Sequence, residues 1–320
     1  MTGDRPCTRR DALKLGLGAG VLLTLDGLPT FALPPDRRPG AAALIERAIP
    51  SSGEKVPVVG IGTARSYDHV STPEEMSVLR DVLREFPRLG GRVIDTAPSY
   101  GQAETIVGDL LQELKNRDQY FVATKVNVGR SGTREAAVQQ MEASMRTLRT
   151  DRIDLVQVHN LASPAVVLPV LDEWKAAKRI RYLGLTTQSD AQYAELESII
   201  KSRPVDFIQV DLAIDNRASQ DRLIPAAADK GVAVLVNLPF GRQRVFQKVQ
   251  GKPLPDWAKD IDATSWAQIF LKYIVSNPAV TAVIPGTATM PFLVDNIGAA
   301  KGRLPDVVMR KRIEVYFDAL

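Results

Sequence analysis

From about residue 55 to the end of the chain, short apolar runs alternate with longer segments of helical periodicity. The runs are Val56–Gly62, Arg92–Thr96, Tyr120–Lys125, Ile153–His159, Tyr182–Thr186, Phe207–Leu212, Ala233–Leu238 and Val280–Ile284. They are continuously apolar rather than alternating, which is the pattern of parallel strands covered on both faces. The intervening segments are Pro73–Phe86, Ala103–Lys115, Thr133–Leu148, Pro164–Ala177, Ala191–Ser202, Gln220–Asp229, Thr264–Ser276 and Pro291–Ala300, and a last amphipathic helix is expected over Asp306–Phe317. Ala103–Lys115 gathers Ile106, Val107, Leu110, Leu111 and Leu114 on one face. Thr72 stands before Pro73, a good N-cap ahead of proline at the first helical position. Eight strand-then-helix units predict a (β/α)8 barrel. The rival, a doubly wound open sheet, usually carries Gly-x-Gly-x-x-Gly after its first strand. Here Gly60-Ile61-Gly62 runs into Thr63-Ala64-Arg65 with no third glycine.

The first 32 residues follow another pattern. Thr8-Arg9-Arg10-Asp11-Ala12-Leu13-Lys14 is followed by an apolar stretch from Leu15 to Leu25 and by Thr30-Phe31-Ala32. A charged start, a short apolar run and small residues at the end make a signal peptide. The run is too short for a membrane span, which needs about 20 apolar residues. The arginine pair resembles the twin-arginine export signal, with Ala12 where phenylalanine is usual. That resemblance implies export to the periplasm or beyond, with the twin-arginine translocase as a partner. The expected organisation is a signal over 1–32, a Pro- and Arg-rich linker with one short helix over 33–54, and the barrel over 55–320. Composition adds exclusions. The formal charge is only +4, and no Lys/Arg run is mixed with aromatics, so no nucleic-acid footprint is indicated. The single cysteine, Cys7, falls in the signal, and histidine occurs twice. Disulfides, thiol chemistry and a metal-ligand cluster are therefore not expected.

In a barrel of this kind the active groups sit at the C-terminal strand ends and the loops after them. The second run ends in Asp95-Thr96-Ala97-Pro98-Ser99-Tyr100-Gly101, the third in Ala123-Thr124-Lys125 and the fourth in Val158-His159. Singly, each polar residue has a bland reading as a cap, a loop packing group, a strand-end charge or a structural histidine. Together they bring a carboxylate, a phenol, an amine and an imidazole to one rim. Tyr67 and His69 fall in the loop after the first run, placed to wall a cleft, though His69 reads equally well as exposed. These motifs resemble the aldo/keto reductase family, with Asp95, Tyr100, Lys125 and His159 in the order and spacing of its catalytic tetrad over a match from about Lys55 to Ala300. The resemblance implies reduction of an aldehyde or ketone, or oxidation of an alcohol, with Tyr100 as general acid. A free tyrosine has a pKa of about 10. Lys125, held charged by Asp95, is expected to lower it, and His159 to orient the carbonyl oxygen.

The resemblance also implies a nicotinamide dinucleotide, NADP(H) first and NAD(H) as the rival. Gly62 and Thr63 end the first strand beside that site. Thr186 and Thr187 stand where the family has Ser-Asn, Gln209 matches the family glutamine, and Leu212 replaces an aromatic that stacks on the nicotinamide. Pro239, Phe240, Gly241 and Arg242, with Arg244 beyond them, resemble the loop over the pyrophosphate. Gly286, Thr287 and Thr289 lead into a helix whose free N–H groups suit a phosphate, and Asp295-Asn296 matches the pair that meets adenine. No Lys or Arg lies between Pro285 and Asn296 to meet a 2′-phosphate. The segment Gly241–Asp260, with Trp257, is long enough for a lid. The expected protein is a monomeric carbonyl reductase. Its rivals are an exported dinucleotide-binding or sensing protein without turnover, and an aldolase using Lys125 as a Schiff base.

Overall fold

The structure, a computed structural model, describes residues 43–320. The twin-arginine segment and linker residues 33–42 lie outside the described residues. The described chain opens with an antiparallel hairpin of β1 (Glu46–Ala48) and β2 (Lys55–Pro57). Eight parallel strands follow: β3 (Ile61–Gly62), β4 (Val93–Asp95), β5 (Phe121–Val126), β6 (Ile153–Val158), β7 (Ile180–Thr186), β8 (Phe207–Asp211), β9 (Ala233–Asn237) and β10 (Ala282–Val283). Each strand pairs with the next in sequence. Val59 bridges Val283 and Gly62 bridges Gly286, so the ring closes and the (β/α)8 barrel is formed. At Gly62 the walls come close, since a Cβ there would lie 2.7 Å from the Ile284 carbonyl oxygen. The helices around the ring are α1 (Pro73–Arg88), α2 (Ala103–Leu114), α3 (Arg134–Thr147), α4 (Pro164–Ala176), α5 (Tyr193–Ser202), α6 (Ala218–Asp221), α7 (Leu223–Asp229), α8 (Arg244–Lys248), α9 (Trp266–Val275), α10 (Met290–Gly298) and α11 (Val307–Asp318). Thr72 caps α1 by accepting from the Glu75 amide over 3.1 Å.

Alternation along each strand explains how this barrel positions a site. Side chains two apart point the same way, so Phe121, Ala123 and Lys125 share one face of β5, and Leu155 and Gln157 one face of β6. The interior is apolar at the N-terminal end and polar at the mouth. Its floor is a triad of rings, Phe121, Tyr182 and Phe207, with centroids 5.6–5.9 Å apart. Ile49 and Val56 of the hairpin region pack onto this cluster and plug the bottom. Around the plug, Arg181 binds Glu54 and, over 2.8 Å, Asp154, while Arg117 binds Asp154 over 2.9 Å. Tyr182 Oη lies 2.8 Å from both Ser52 Oγ and Glu54 Oε2. Outside the ring, the other faces of the strands meet the helices in a second, larger apolar layer.

Three expectations are corrected. Among its described residues, 43–54, the linker contributes a strand, and the boundary at residue 54 cuts through the hairpin that plugs the barrel. The first apolar run is two elements, β2 and β3, because Val56 and Pro57 pair back on β1 while Gly60 and Gly62 turn to the barrel wall. The segment with Trp257 is docked rather than free. Trp257 is buried with its ring 5.7 Å from that of Tyr316 on α11, and the Arg312 guanidinium lies 5.8 Å from its ring centroid.

Candidate active site

The register of the sheet assembles the four residues. Asp95 pairs with Ala123, which places Lys125 one interior position nearer the mouth, and Lys125 is level with Gln157 on β6. Lys125 Nζ lies 2.7 Å from both carboxylate oxygens of Asp95 and 2.9 Å from the Thr96 carbonyl oxygen. Both side chains are almost wholly buried. The ammonium also lies 4.9 Å from the ring centroid of Tyr100. His159 starts a tight turn after β6, and its ring meets Tyr100 edge-on with centroids 5.9 Å apart. Asn160 and Leu161 take left-handed backbone there. The turn is held by Thr186 Oγ1, which accepts from the Asn160 amide over 2.9 Å, and by Gln192, which donates to the Asn160 carbonyl over 2.8 Å. Ser99 Oγ lies 3.5 Å from His159 Nδ1.

Charge follows from burial against pairing. Burial pulls the Lys125 ammonium down, but Asp95 and Tyr100 outweigh it and hold it above its ordinary value. Burial pushes the Asp95 carboxyl up, opposed by Lys125, Gln209 and Gln157. Burial, and next the Lys125 charge, lowers His159 to about 4, so the imidazole is neutral at physiological pH. Tyr100 corrects the expectation of a lowered pKa: burial raises it above 10.0, and Lys125 only opposes that rise. The phenol is therefore fully protonated near neutrality and has its proton available to give. A charge beside it favours the phenolate left behind.

The residues expected around a dinucleotide fall into two groups. Gly286, Thr289 and Asn237 stand at the C-terminal ends of β9 and β10 and at the start of α10, with buried Gly62 bridged to Gly286 beside them. Gly286 is exposed, and a Cβ there would meet nothing closer than 3.7 Å. Thr289 precedes α10 without a side-chain cap, and Pro291 stands in the first turn of that helix. Asn237 Oδ1 is buried without a partner. A backbone cradle and an unmet side-chain amide oxygen fit a dinucleotide. Other residues are already engaged. Thr63 Oγ1 donates to the Asp95 carbonyl over 3.0 Å, and Thr187 Oγ1 to Gln192 over 2.7 Å. Thr287 accepts from Asn296 Nδ2 over 2.9 Å, and Asp295 accepts from Ser265 and Gln268, each over 2.9 Å. Arg242 donates to Gln188 over 2.8 Å across the end of β8, and Arg244 is paired with Asp215. Pro239, Phe240 and Gly241 are buried. Leu212 is fully enclosed in the strand–helix layer, so it offers no face to a ring. Tyr67 is likewise fully enclosed and does not wall the mouth, while His69 stands exposed. Among the described residues no group of three His, Cys, Asp or Glu is placed to hold a metal.

Gln157 and Ser99 were not singled out from sequence. The signal for Gln157 was present, because it lies two residues before His159 on a strand and must share its face. Ser99 lies within the loop that carries Tyr100, and nothing in its spacing marks it.

Comparison with known proteins adds descent to this geometry. Residues 58–315 match the aldo/keto reductase family. The chain is 30% identical over 204 residues to aldo-keto reductase YhdN of Bacillus subtilis, a match covering 59% of this chain and 60% of that protein. It is 30% identical over 185 residues to the NADH-specific methylglyoxal reductase of Escherichia coli, covering 50% of this chain and 56% of that one. These matches span less than two thirds of either relative. In fold, the chain resembles an aldo/keto reductase from Klebsiella pneumoniae in complex with NADP and acetate, with a TM-score of 0.68 at 22% identity over 83% of this chain and 93% of that one. The chain belongs to the aldo/keto reductase family.

Proposed function

We propose that the protein reduces a small aldehyde or ketone to an alcohol with a nicotinamide dinucleotide, and runs in reverse on alcohols. The observation that carries this reading is the Asp95–Lys125 ion pair, buried in the barrel mouth and facing Tyr100 beside a neutral His159. The dinucleotide, when bound, supplies the hydride. The chain supplies everything else. Tyr100 gives its proton to the carbonyl oxygen, and Lys125 stabilises the phenolate that results. Asp95 keeps Lys125 charged and aimed. Neutral His159 has an N–H to offer the same oxygen and fixes its direction. The Gly62–Gly286 rim, Asn237 and the first turn of α10 would hold the cofactor. A raised lysine pKa argues against an aldolase, whose Schiff-base lysine must be neutral to attack. A binding protein without turnover gains nothing from a buried ion pair aimed at a phenol.

For the cofactor we infer NADPH, with hydroxyls and helix amides rather than a cation at the 2′-phosphate. Dissociation constants for NADPH and NADH decide this, and equal or tighter NADH binding overturns it. We also propose export through the twin-arginine route as a monomer, supported by Arg9-Arg10 and the apolar run after them. Loss of export on Arg9→Lys/Arg10→Lys is the expected result in fractionated cells. The function itself is tested by a panel of carbonyl compounds and sugars assayed with both cofactors. Absence of cofactor oxidation across the panel would overturn the reading.

A further inference from the structure

The turn after β6 bends through left-handed backbone without a glycine. Asn160, Leu161 and Ser163 have φ angles of 51°, 50° and 52°. Asparagine enters that region readily and leucine does not. Such backbone persists only where its surroundings enforce it. His159 is the residue on which the turn begins. Its Cα is therefore fixed from one side by β6 and from the other by this turn.

The ties on the turn come from β7 and the segment after it. Val158 pairs with Leu185, so Thr186 at the end of β7 stands beside His159. Thr186 Oγ1 accepts from the Asn160 amide over 2.9 Å, and Gln192 Nε2 donates to the Asn160 carbonyl over 2.8 Å. The peptide groups on both sides of Asn160 are thus held. Gln192 is itself fixed, because Thr187 Oγ1 donates to its Oε1 over 2.7 Å. That bond leaves the Nε2 end of the amide for Asn160. On the far side of the turn, Ser163 Oγ donates to the Gly129 and Arg130 carbonyls over 2.7 and 3.0 Å. Gln192 immediately precedes α5, yet its side chain does not cap that helix. The bonds of this side chain serve the turn and not the helix that follows it.

We propose that Gln192 is a positioning residue for His159: held by Thr187 and acting with Thr186, it pins the left-handed turn and so keeps the imidazole edge-on to Tyr100. This rests on the reading of His159 as the group that directs the carbonyl oxygen. The groups facing the ring are Tyr100, with centroids 5.9 Å apart, Ser99 Oγ at 3.5 Å from Nδ1, and the Lys125 charge. Each of these acts on the ring and leaves the backbone at Asn160 to Thr186 and Gln192. Thr186 and Thr187, expected at the nicotinamide, thereby act on the histidine turn.

The test is NMR of cofactor-free protein labelled at His and Tyr. Histidine occurs only twice in the chain, and the other, His69, is exposed and serves as the internal reference. His159 is assigned by its loss in His159→Gln. In the wild type its ring protons show cross-relaxation with those of Tyr100 at pH 7. Gln192→Met keeps the length of the side chain and removes both of its bonds. It is expected to weaken those cross-peaks and to raise the His159 midpoint from about 4. The rise is about one pH unit toward the solvated value of about 6.5, with His69 unmoved. In turnover it lowers kcat by about 10²-fold, the scale of a misplacement of about 1 Å, and leaves the cofactor dissociation constant unchanged. Thr187→Val moves both NMR readouts the same way by less, and Thr187→Ser, which keeps the hydroxyl, reverses this. That pair carries the test if the methionine variant does not fold. Unmoved cross-peaks and an unmoved midpoint overturn the proposal, even where stability falls. So does a Thr187→Ser variant that behaves as Thr187→Val. The NMR readouts need neither substrate nor cofactor, so their failure is distinguishable from failure of the carbonyl-reduction reading.

Discussion

The two ends of the barrel use the same kind of bond for opposite purposes. At the N-terminal end, Arg181 and Arg117 bind Asp154, and Arg181 binds Glu54, at the edge of the hairpin plug. These pairs are partly exposed, and they share partners: Glu54 also receives Arg92 at 3.4 Å. At the mouth the pair of Lys125 with Asp95 is almost wholly buried. Removing charges from water is expensive, and their attraction offsets this only with good geometry and further hydrogen bonds. The bottom network spreads its charges over several contacts beside solvent and closes the fold. The mouth concentrates one buried charge against a phenol and leaves polar atoms of Thr96, Gln157 and Asn237 unmet, whereas the unmet atom of the bottom network, Arg117 Nε, belongs to a guanidinium whose other nitrogens are bonded. The difference that locates the chemistry is the enclosed charge held beside a phenol.

The strongest test of that contrast is Tyr100→Phe, which removes only a hydroxyl at the mouth. Carbonyl reduction is expected to fall by about 10²–10⁴-fold, the range for loss of a general acid, with the cofactor dissociation constant nearly unchanged. Wild-type turnover would move the acid elsewhere. Next comes Lys125→Met, which strands a buried carboxylate. Unfolding in denaturant should show a loss of about 3–5 kcal/mol. The double variant Lys125→Met/Asp95→Leu should regain most of it, since the charge and its partner then leave together. If the single variant is as stable as wild type, Asp95 is not ionised in the fold and the mouth loses its distinguishing feature.

How much of this contrast was legible in the sequence depended on whether a residue's surroundings are local. Asp95, Lys125 and His159 end apolar runs, so their arrival at one rim follows from strand periodicity and barrel topology alone. Gln157 follows by the same rule. Leu212 and Tyr67 did not, because they follow strand ends where the backbone turns, and which way a loop side chain falls is set by contacts distant in sequence. The hairpin plug was missed for a related reason. Arg47 donates to the carbonyls of Val275, Asn277 and Val280 at the far end of the chain, which no local pattern announces. The Tyr100 shift runs opposite to expectation because the approach of Lys125 follows from strand order in a barrel, whereas enclosure by the finished mouth does not.

Arg181→Ala probes the other end. Glu54 and Asp154 keep Arg92 and Arg117, so the loss should be modest, about 1–3 kcal/mol for charged hydrogen bonds removed. kcat and KM should not move, because the site lies at the opposite end of the strands. A change in kcat larger than the change in stability explains would show that the floor of rings transmits to the mouth, and the division between the two ends would fail.

The smallest expected effect is an absence of one. A solvated histidine titrates at about 6.5, and His159 is lowered to about 4 by burial and by Lys125. The kcat profile should therefore show no inflection near pH 6.5. Stability carries the same information with a definite sign. The unfolded chain takes up a proton as the pH falls past 6.5, while the folded protein waits until about 4. His159 thus contributes stability that is fully present above pH 6.5 and is lost as the pH falls through 4. His159→Gln should flatten that part of the profile, measured as melting temperature against pH. An inflection in kcat near 6.5 that disappears in this variant would mean that water reaches the imidazole, and the mouth would then be as wet as the bottom of the barrel.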